Sequence, residues 1–210
     1  LLAARGESGA TTVAATMAIA AAAGIHVFAT GGIGGVHRGA EETFDVSADL
    51  LELSRTRVVV VASGAKAVLD LPKTLEALET LGVPVVGFGT SELPAFWVRS
   101  SGHSLEVRCD DAAEVARLAR AHWAWPASGG VLCANPVPVE AALPRDAVDG
   151  AIERSLAAAK AQGISGKAVT PFLLARLAEE TGGRTLAANE ALVVSNAGVA
   201  ARIAVALAGR

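Results

Sequence analysis

The stretch "RVVVVAS", Arg57 to Ser63, constrains the fold more than any other part of the chain. It is a continuous apolar run with no polar alternation, the pattern of a parallel strand covered on both faces. Helix and strand signals alternate around it. "ATTVAATMAIAAAA" reads as a helix stopped by Gly24, "IHVFA" as a strand, and "TGGIGGVHRG" as a long glycine-rich loop. "SADLLELS" reads as a short helix opened by Ser47 as N-cap. "LPKTLEALETLG" is amphipathic, with Leu71, Leu75, Leu78 and Leu81 on one side and Gly82 at its end. "VPVVGFG" is the next strand, and "TSELPAFWVRSSGHS" is less regular. A helix in "DDAAEVARLARAHWAW", capped by Asp110 or Asp111, precedes the strand of "GGVLCANPVP". The last third is mostly helix. The expected fold class is α/β, with a mostly parallel central sheet, helices on both faces and a helix-rich C-terminal third. No repeat or linker divides residues 1–210, which read as a single α/β domain.

Composition narrows the partners. Apolar residues make up 52% of the 210, much of that alanine, and aromatics only 4%. A chain of this length buries a core without disulfides or metal. The net charge of −3 argues for no partner. No basic tract suggests nucleic acid, and no polybasic amphipathic helix suggests a membrane. Cys109 and Cys133 stand alone, so a reducing, cytoplasmic setting is expected. The apolar window from Val13 to Ala29 reads as a buried helix followed by a buried strand, because Gly24 breaks it and His26 would sit inside any span. It is not preceded by a basic region and cleavage site, and so does not read as a signal peptide. The chain opens at Leu1 and runs straight into a helix, and an N-terminal truncation is expected.

Three places could carry chemistry. Lys66 lies four residues beyond Ala62, where open α/β sheets bind ligands. At the start of a following helix, the positive end of the dipole would favour the neutral amine that a Schiff-base nucleophile needs. The alternative is a lysine that snorkels to solvent. Asp45 and Asp49 are four apart and share a face if that turn is helical. A hard cation or a lysine would relieve their repulsion, although an N-cap aspartate beside a solvated one gives the same spacing. "ATGGIGGVHRG", Ala29 to Gly39, lets backbone N–H groups approach an anion, with Thr30, His37 and Arg38 adding donors. A flexible surface loop would look the same, and the stretch is neither a dinucleotide fingerprint nor a Walker loop. His26 reads as a core or near-core residue, and Trp97, Trp123 and Trp125 as packing.

Taken together, "SGATTVAATM", "FATGGIGGVHRGAEETFDVSADL", "VVVVASGAKAVLD", "LETLGVPVVGF", "GGVLCANPVP", "GKAVTPFLLARLAEETGGR" and "TLAANEALV" resemble the pseudouridine-5′-phosphate glycosidase family, in order and over nearly the whole chain. The resemblance implies cleavage of the C–C glycosidic bond of pseudouridine 5′-phosphate to uracil and ribose 5-phosphate. It implies that Lys66 is the nucleophile at ribose C1′, that Asp45 binds Mn²⁺, and that Val13, Ser47, Ala48 and Asp49 contact substrate. By similarity of setting, Thr30, His37 and Asn189 are candidates for phosphate or ribose contacts. Asp49 is a candidate proton shuttle. A homotrimer in a cytoplasmic salvage role is also implied. The physical reading agrees: a C-glycosidic carbon is a poor leaving group, so cleavage by a carboxylate pair is not available, whereas an opened ribose held as an iminium at C1′ gives that bond a route to break. The family's N-terminal "ALEST"-type glutamate, a proton donor, and a substrate-binding lysine upstream of "GATTVAATM" have no counterpart here, and Glu7 does not match. The chain therefore reads as part of a longer glycosidase domain. Two alternatives are a lysine Schiff-base aldolase on phosphosugars and a non-catalytic phosphosugar-binding module. Uracil release separates the first reading from the aldolase.

Overall fold

The structure, a computed structural model, describes residues 2–164 and 169–209. Residues 166–168, which open the "GKAVTPFLL" stretch, lie outside that range. In chain order the elements are α1 (Leu2–Arg5), α2 (Val13–Ala22), β1 (Val27–Ala29), α3 (Ala40–Thr43), α4 (Ala48–Leu53), β2 (Val59–Ala62) and α5 (Leu71–Thr80). There follow β3 (Val85–Phe88), β4 (Val107–Cys109), α6 (Ala112–Trp123), β5 (Val131–Ala134), α7 (Arg145–Ala161), α8 (Val169–Glu180) and α9 (Arg184–Ala208).

The valine run forms β2, and all four of its residues are buried. It pairs in parallel with β1 on one side and with β5 on the other. The sheet order is β1-β2-β5-β3-β4, and every pairing is parallel. The pleat sends Val60, Ala62 and Leu132 to one face, where Leu50, Leu53, Leu69, Leu78 and Leu173 cover them. Val59, Val61, Val131 and Cys133 point the other way, onto Val115, Ala119, Val199 and Ile203. Each fully buried valine contributes about 1.5–3 kcal/mol, so two covered faces explain why β2 tolerates no polar residue. The expected α/β class with helices on both faces is what forms.

Side chains start the helices where the sequence places them. The Ser47 Oγ accepts the Asp49 N–H at the head of α4. Asp111 accepts the Glu114 N–H at 2.8 Å and caps α6. The apolar window from Val13 to Ala29 divides into a ten-residue α2, a left-handed turn at Gly24 (φ 72°) and β1. Neither piece is long enough to cross a bilayer. α9, at 25 residues, is long and apolar enough by length and composition, but it packs along β1, β2 and α6.

One strand is added and two expectations are corrected. β4 falls in "LEVRC", between the irregular stretch and α6, as an edge strand with only Cys109 buried. Trp125 is 73% exposed rather than packed. His26 is exposed too, its ring resting 5.7 Å from that of Trp123.

Candidate active site

The carboxyl ends of β1 and β2 lead into a cavity of about 560 Å³. Its walls come from the loop after β1, the loop after β2, the heads of α2 and α4, and one face of α9. The two loops are zipped together as though the strands continued. Ile33 and Ala65 form a parallel bridge. The Ile33 N–H donates to the Gly64 carbonyl, and the Lys66 N–H to the Ile33 carbonyl, both at 3.1 Å. Gly64 has φ 77°, and a Cβ there would strike the Pro94 carbonyl, so only glycine lets the chain turn at this point.

That bridge places Lys66 on the cavity wall. The reason given by the sequence is corrected: α5 starts at Leu71, capped by Asp70, so Lys66 sits in the loop before the helix and not in its first turn. The dipole of α5 acts only within its own first turn. Among the described residues no carboxylate pairs with the Lys66 ammonium. The two thiols offer no rival nucleophile. Burial pushes Cys133 up to about 12, and burial also raises Cys109, which keeps both as inert thiols.

Asp49 is 5% exposed in the first turn of α4. One carboxylate oxygen accepts the Ala14 N–H at the head of α2, at 2.8 Å. The other accepts the Gly34 N–H at 2.7 Å. A charged acceptor on two backbone donors makes strong, directional bonds, and it ties α4, α2 and the glycine-rich loop together. Gly34 leaves room for this clamp, since a Cβ there would collide with Ser47 Oγ. Asp45 and Asp49 do not share a helical face, a second correction, because α4 begins only at Ala48. The Asp45 carboxylate is half-exposed and lies 3.8 Å from His37 Nδ1, while its carbonyl accepts the His37 N–H.

Val13, Thr30, His37, Ser47, Asp49, Lys66 and Asn189 all line this cavity. Ala48 is exposed at the start of α4 and does not line it. Asp45 reaches it only through His37. Among the described residues no three His, Cys, Asp or Glu side chains gather as a metal cluster. One carboxylate with one imidazole beside it fits a hard cation that keeps most of its shell as water and substrate oxygen. It does not fit a cage built from protein alone.

The glycine-rich loop is not a flexible surface segment. Residues 32–36 are buried. The Val36 N–H goes to Thr74 Oγ1 at 3.0 Å and the His37 N–H to the Asp45 carbonyl. Among the described residues, the N–H groups of Gly31 and Gly32 meet no acceptor, and both glycines line the cavity. The anion-cradle expectation narrows to these two.

One wall residue, Phe96, and one residue behind the wall, Trp97, escape a reading of the sequence. Phe96 adopts φ 63°, rare for a bulky side chain. Its ring lies against Gly32, where a Cβ would sit 2.8 Å away. The next residue, Trp97, is 1% exposed and donates its indole N–H to Asn189 Oδ1 at 2.7 Å. An indole N–H can only donate, so it fixes which end of the Asn189 amide is oxygen. The amide nitrogen is left for the cavity. Neither signal is present in the irregular "LPAFW" stretch itself.

Residues 1–206 match the family described as indigoidine synthase A like protein. The chain is 61% identical over 203 residues to the pseudouridine-5′-phosphate glycosidase of Paracoccus denitrificans, covering 97% of this chain and 67% of that protein. It is 55% identical over 201 residues to the protein of the same name from Escherichia coli, covering 96% of this chain and 64% of the relative. Among solved structures it resembles the prealnumycin C-glycosynthase AlnA in complex with ribulose 5-phosphate, with a TM-score of 0.92, 46% identity, and coverage of 97% of this chain and 67% of that one. It also resembles an indigoidine synthase A-like protein from Thermotoga maritima, with a TM-score of 0.88, 43% identity and the same coverage. The chain thus spans about two thirds of the length of the relatives it matches.

Proposed function

The chain belongs to the family of indigoidine synthase A like proteins, and on that premise we propose that it acts as a pseudouridine-5′-phosphate glycosidase. The reaction cleaves the C–C bond between ribose C1′ and uracil and yields uracil and ribose 5-phosphate. The observation that carries this reading is one cavity in which Lys66, Asp49, Ser47, His37, Thr30, Val13 and Asn189 meet, in a fold close to that of an enzyme crystallised with a pentulose phosphate.

Lys66 supplies the nucleophile once its ammonium has lost a proton. The ribose opens as Nζ bonds to C1′ and the bond from C1′ to the ring oxygen breaks; the nitrogen sheds one proton and the ring oxygen takes one up, which leaves a neutral amine on C1′. The uracil carbon then takes a proton, and the C1′–uracil bond electrons leave with the base. The nitrogen lone pair stabilises the charge left at C1′ as an iminium. Water adds to that iminium and frees ribose 5-phosphate and the amine. The N–H groups of Gly31 and Gly32, with Thr30 and His37, would receive phosphate or ribose oxygens. Asp49 is committed to two backbone donors, but each of its oxygens keeps a further lone pair, through which it would relay protons. Asp45 would hold Mn²⁺ with His37 as the adjacent donor, and the cation would offset the negative charge of the substrate. A homotrimer in the cytoplasm belongs to the same proposal. Light scattering checks the assembly against three times the 21.1 kDa chain.

The test is borohydride reduction in the presence of ribose 5-phosphate, followed by peptide mapping, beside an assay of uracil release from pseudouridine 5′-phosphate. The adduct is expected on Lys66. Lys66→Arg keeps the charge and abolishes trapping, because a guanidinium stays protonated. An adduct on another lysine, or none during turnover, sinks the reading. Asp45→Ala is expected to weaken Mn²⁺ dependence, and an unchanged Mn²⁺ titration removes the metal assignment.

A further inference from the structure

We propose that Asn196 is a positioning residue that holds the three strand ends beneath the cavity in register, an inference that rests on the reading of Lys66 as nucleophile. Asn196 lies in the middle of α9 and is 0% exposed. Asparagine is a poor choice inside a helix, and a buried amide is costly unless its polar atoms are paired. Its buried neighbours along the helix are Leu192, Val199 and Ile203, beside which a leucine would pack. What the amide offers instead is a set of hydrogen bonds, three of them at 3.2 Å or shorter.

The Asn196 Nδ2 donates to the Thr30 carbonyl at 2.8 Å and to Ser63 Oγ at 3.2 Å. Its Oδ1 accepts from Asn135 Nδ2 at 2.9 Å. The Thr30 carbonyl can only accept, which fixes the orientation of the amide. Thr30, Ser63 and Asn135 are the residues that immediately follow β1, β2 and β5. A single side chain therefore ties the carboxyl ends of three adjacent strands to one helix. Each tie leads on into the cavity. Thr30 lines it and precedes the two free glycine N–H groups. Ser63 stands three residues before Lys66, and its carbonyl accepts the N–H of Phe96 at 2.9 Å. On α9 itself, Asn189 is seven residues back, two turns along the same face, and it too lines the cavity. Asn196 thus fixes the nucleophile loop relative to the wall opposite. Attack requires a near-attack geometry, and a displacement of about 1 Å costs on the order of 10²-fold in rate.

The experiment compares the parent chain with Asn196→Leu, Asn196→Asp, Ser63→Ala and a control, Val115→Ala. The control opens a cavity where α6 packs on the sheet and on the outer part of α9, and Val115 itself does not line the site. Two readouts are taken: the rate of borohydride-trapped adduct at Lys66 with ribose 5-phosphate, and hydrogen exchange over residues 30–37 and 63–69. Both Asn196 variants are expected to slow trapping by roughly 10- to 100-fold, with the half-saturating ribose 5-phosphate concentration little changed. They should also speed exchange in those two segments. Ser63→Ala is expected to shift both readouts in the same direction and less, and it carries the decision if the Asn196 variants do not fold. Val115→Ala, compared at an equal loss of Tm, should leave both readouts at the parent's values. Parent-like trapping and exchange in a folded Asn196 variant overturn the proposal, as does equal slowing by Val115→Ala. If the parent itself forms no adduct, the Lys66 reading falls, and the exchange pattern alone decides the role of Asn196.

Discussion

At the scale of single residues, the site depends on polar atoms already in use. Asp49 spends both carboxylate oxygens on backbone donors, so it holds the cavity together before it does any chemistry. Asp49→Asn keeps the shape but turns an amide NH₂ toward one of those N–H groups. A lost hydrogen bond to a charged group costs about 1.5–3 kcal/mol. Urea unfolding should show a loss of that size together with lower turnover. Unchanged stability with lower turnover would mean that its work is chemical alone. Trp97→Phe keeps an aromatic ring against Phe96, 4.9 Å away in the parent, but it frees the Asn189 amide to rotate. Ribose 5-phosphate binding, measured by calorimetry, should weaken about tenfold, in line with the net worth of one hydrogen bond of roughly 0.5–1.5 kcal/mol. Parent-like affinity would show that the orientation of the amide does not matter to the ligand.

At the scale of elements, the heads of the helices carry the local order. Asp70 caps α5 by accepting the Lys73 N–H at 3.1 Å, and the Lys73 ammonium reaches Glu41 at 2.8 Å and Asp70 at 3.0 Å. Lys73 is held above its ordinary range by hydrogen bonds to Glu41 and then Asp70. Its hydrogen bond lowers Glu41. Burial pushes Asp70 up, but the backbone N–H and ammonium of Lys73 together outweigh it and leave the group lowered. A depressed carboxylate binds its proton less tightly in the folded chain than in the unfolded one. Its contribution is therefore present above the ordinary values of 4.5 and 3.8 and fades as pH falls through the lower folded values. Lys73→Met should flatten the acid limb of a stability-against-pH curve, and an unchanged limb would refute the linkage. Asp70→Ala should cost about 1 kcal/mol. Caps of this kind were legible in the sequence because their bonds span only two or three residues: Ser47 and Asp111 start their helices as expected. The place of Lys66 on the cavity wall was also legible, for a reason the structure replaces, since a bridge between distant loops puts it there rather than a helix dipole. Phe96 was hidden because a left-handed backbone at a bulky residue leaves no mark in composition. The role of Asn196 was hidden because its partners lie 61 to 166 residues away.

At the scale of the whole molecule, the sheet order matters most. Among the described residues β5 is the last strand in chain order, yet it lies in the middle, between β2 and β3. Until it docks, β1-β2 and β3-β4 are two parallel pairs that no strand joins. Pairing Val60 with Leu132 closes a long loop before any reward, so this step should be slow. Its contacts would then already be formed in the transition state. Leu132→Ala should slow refolding in a denaturant series more than it speeds unfolding, and a change confined to the unfolding limb would place β5 late instead. The same order has a consequence on the ribosome. Synthesis must run from Val59 to Val131, a difference of 72 positions, before the inner edges of β2 and β3 find their partner. At about 5–20 residues per second, each nascent chain presents the unpaired valine edge of β2 to its neighbours for roughly 4–14 s, joined by that of β3 once Val85–Phe88 has been made. Chains crowded along one message would then meet edge to edge, which makes the interval before β5 emerges the time when this protein most needs a chaperone.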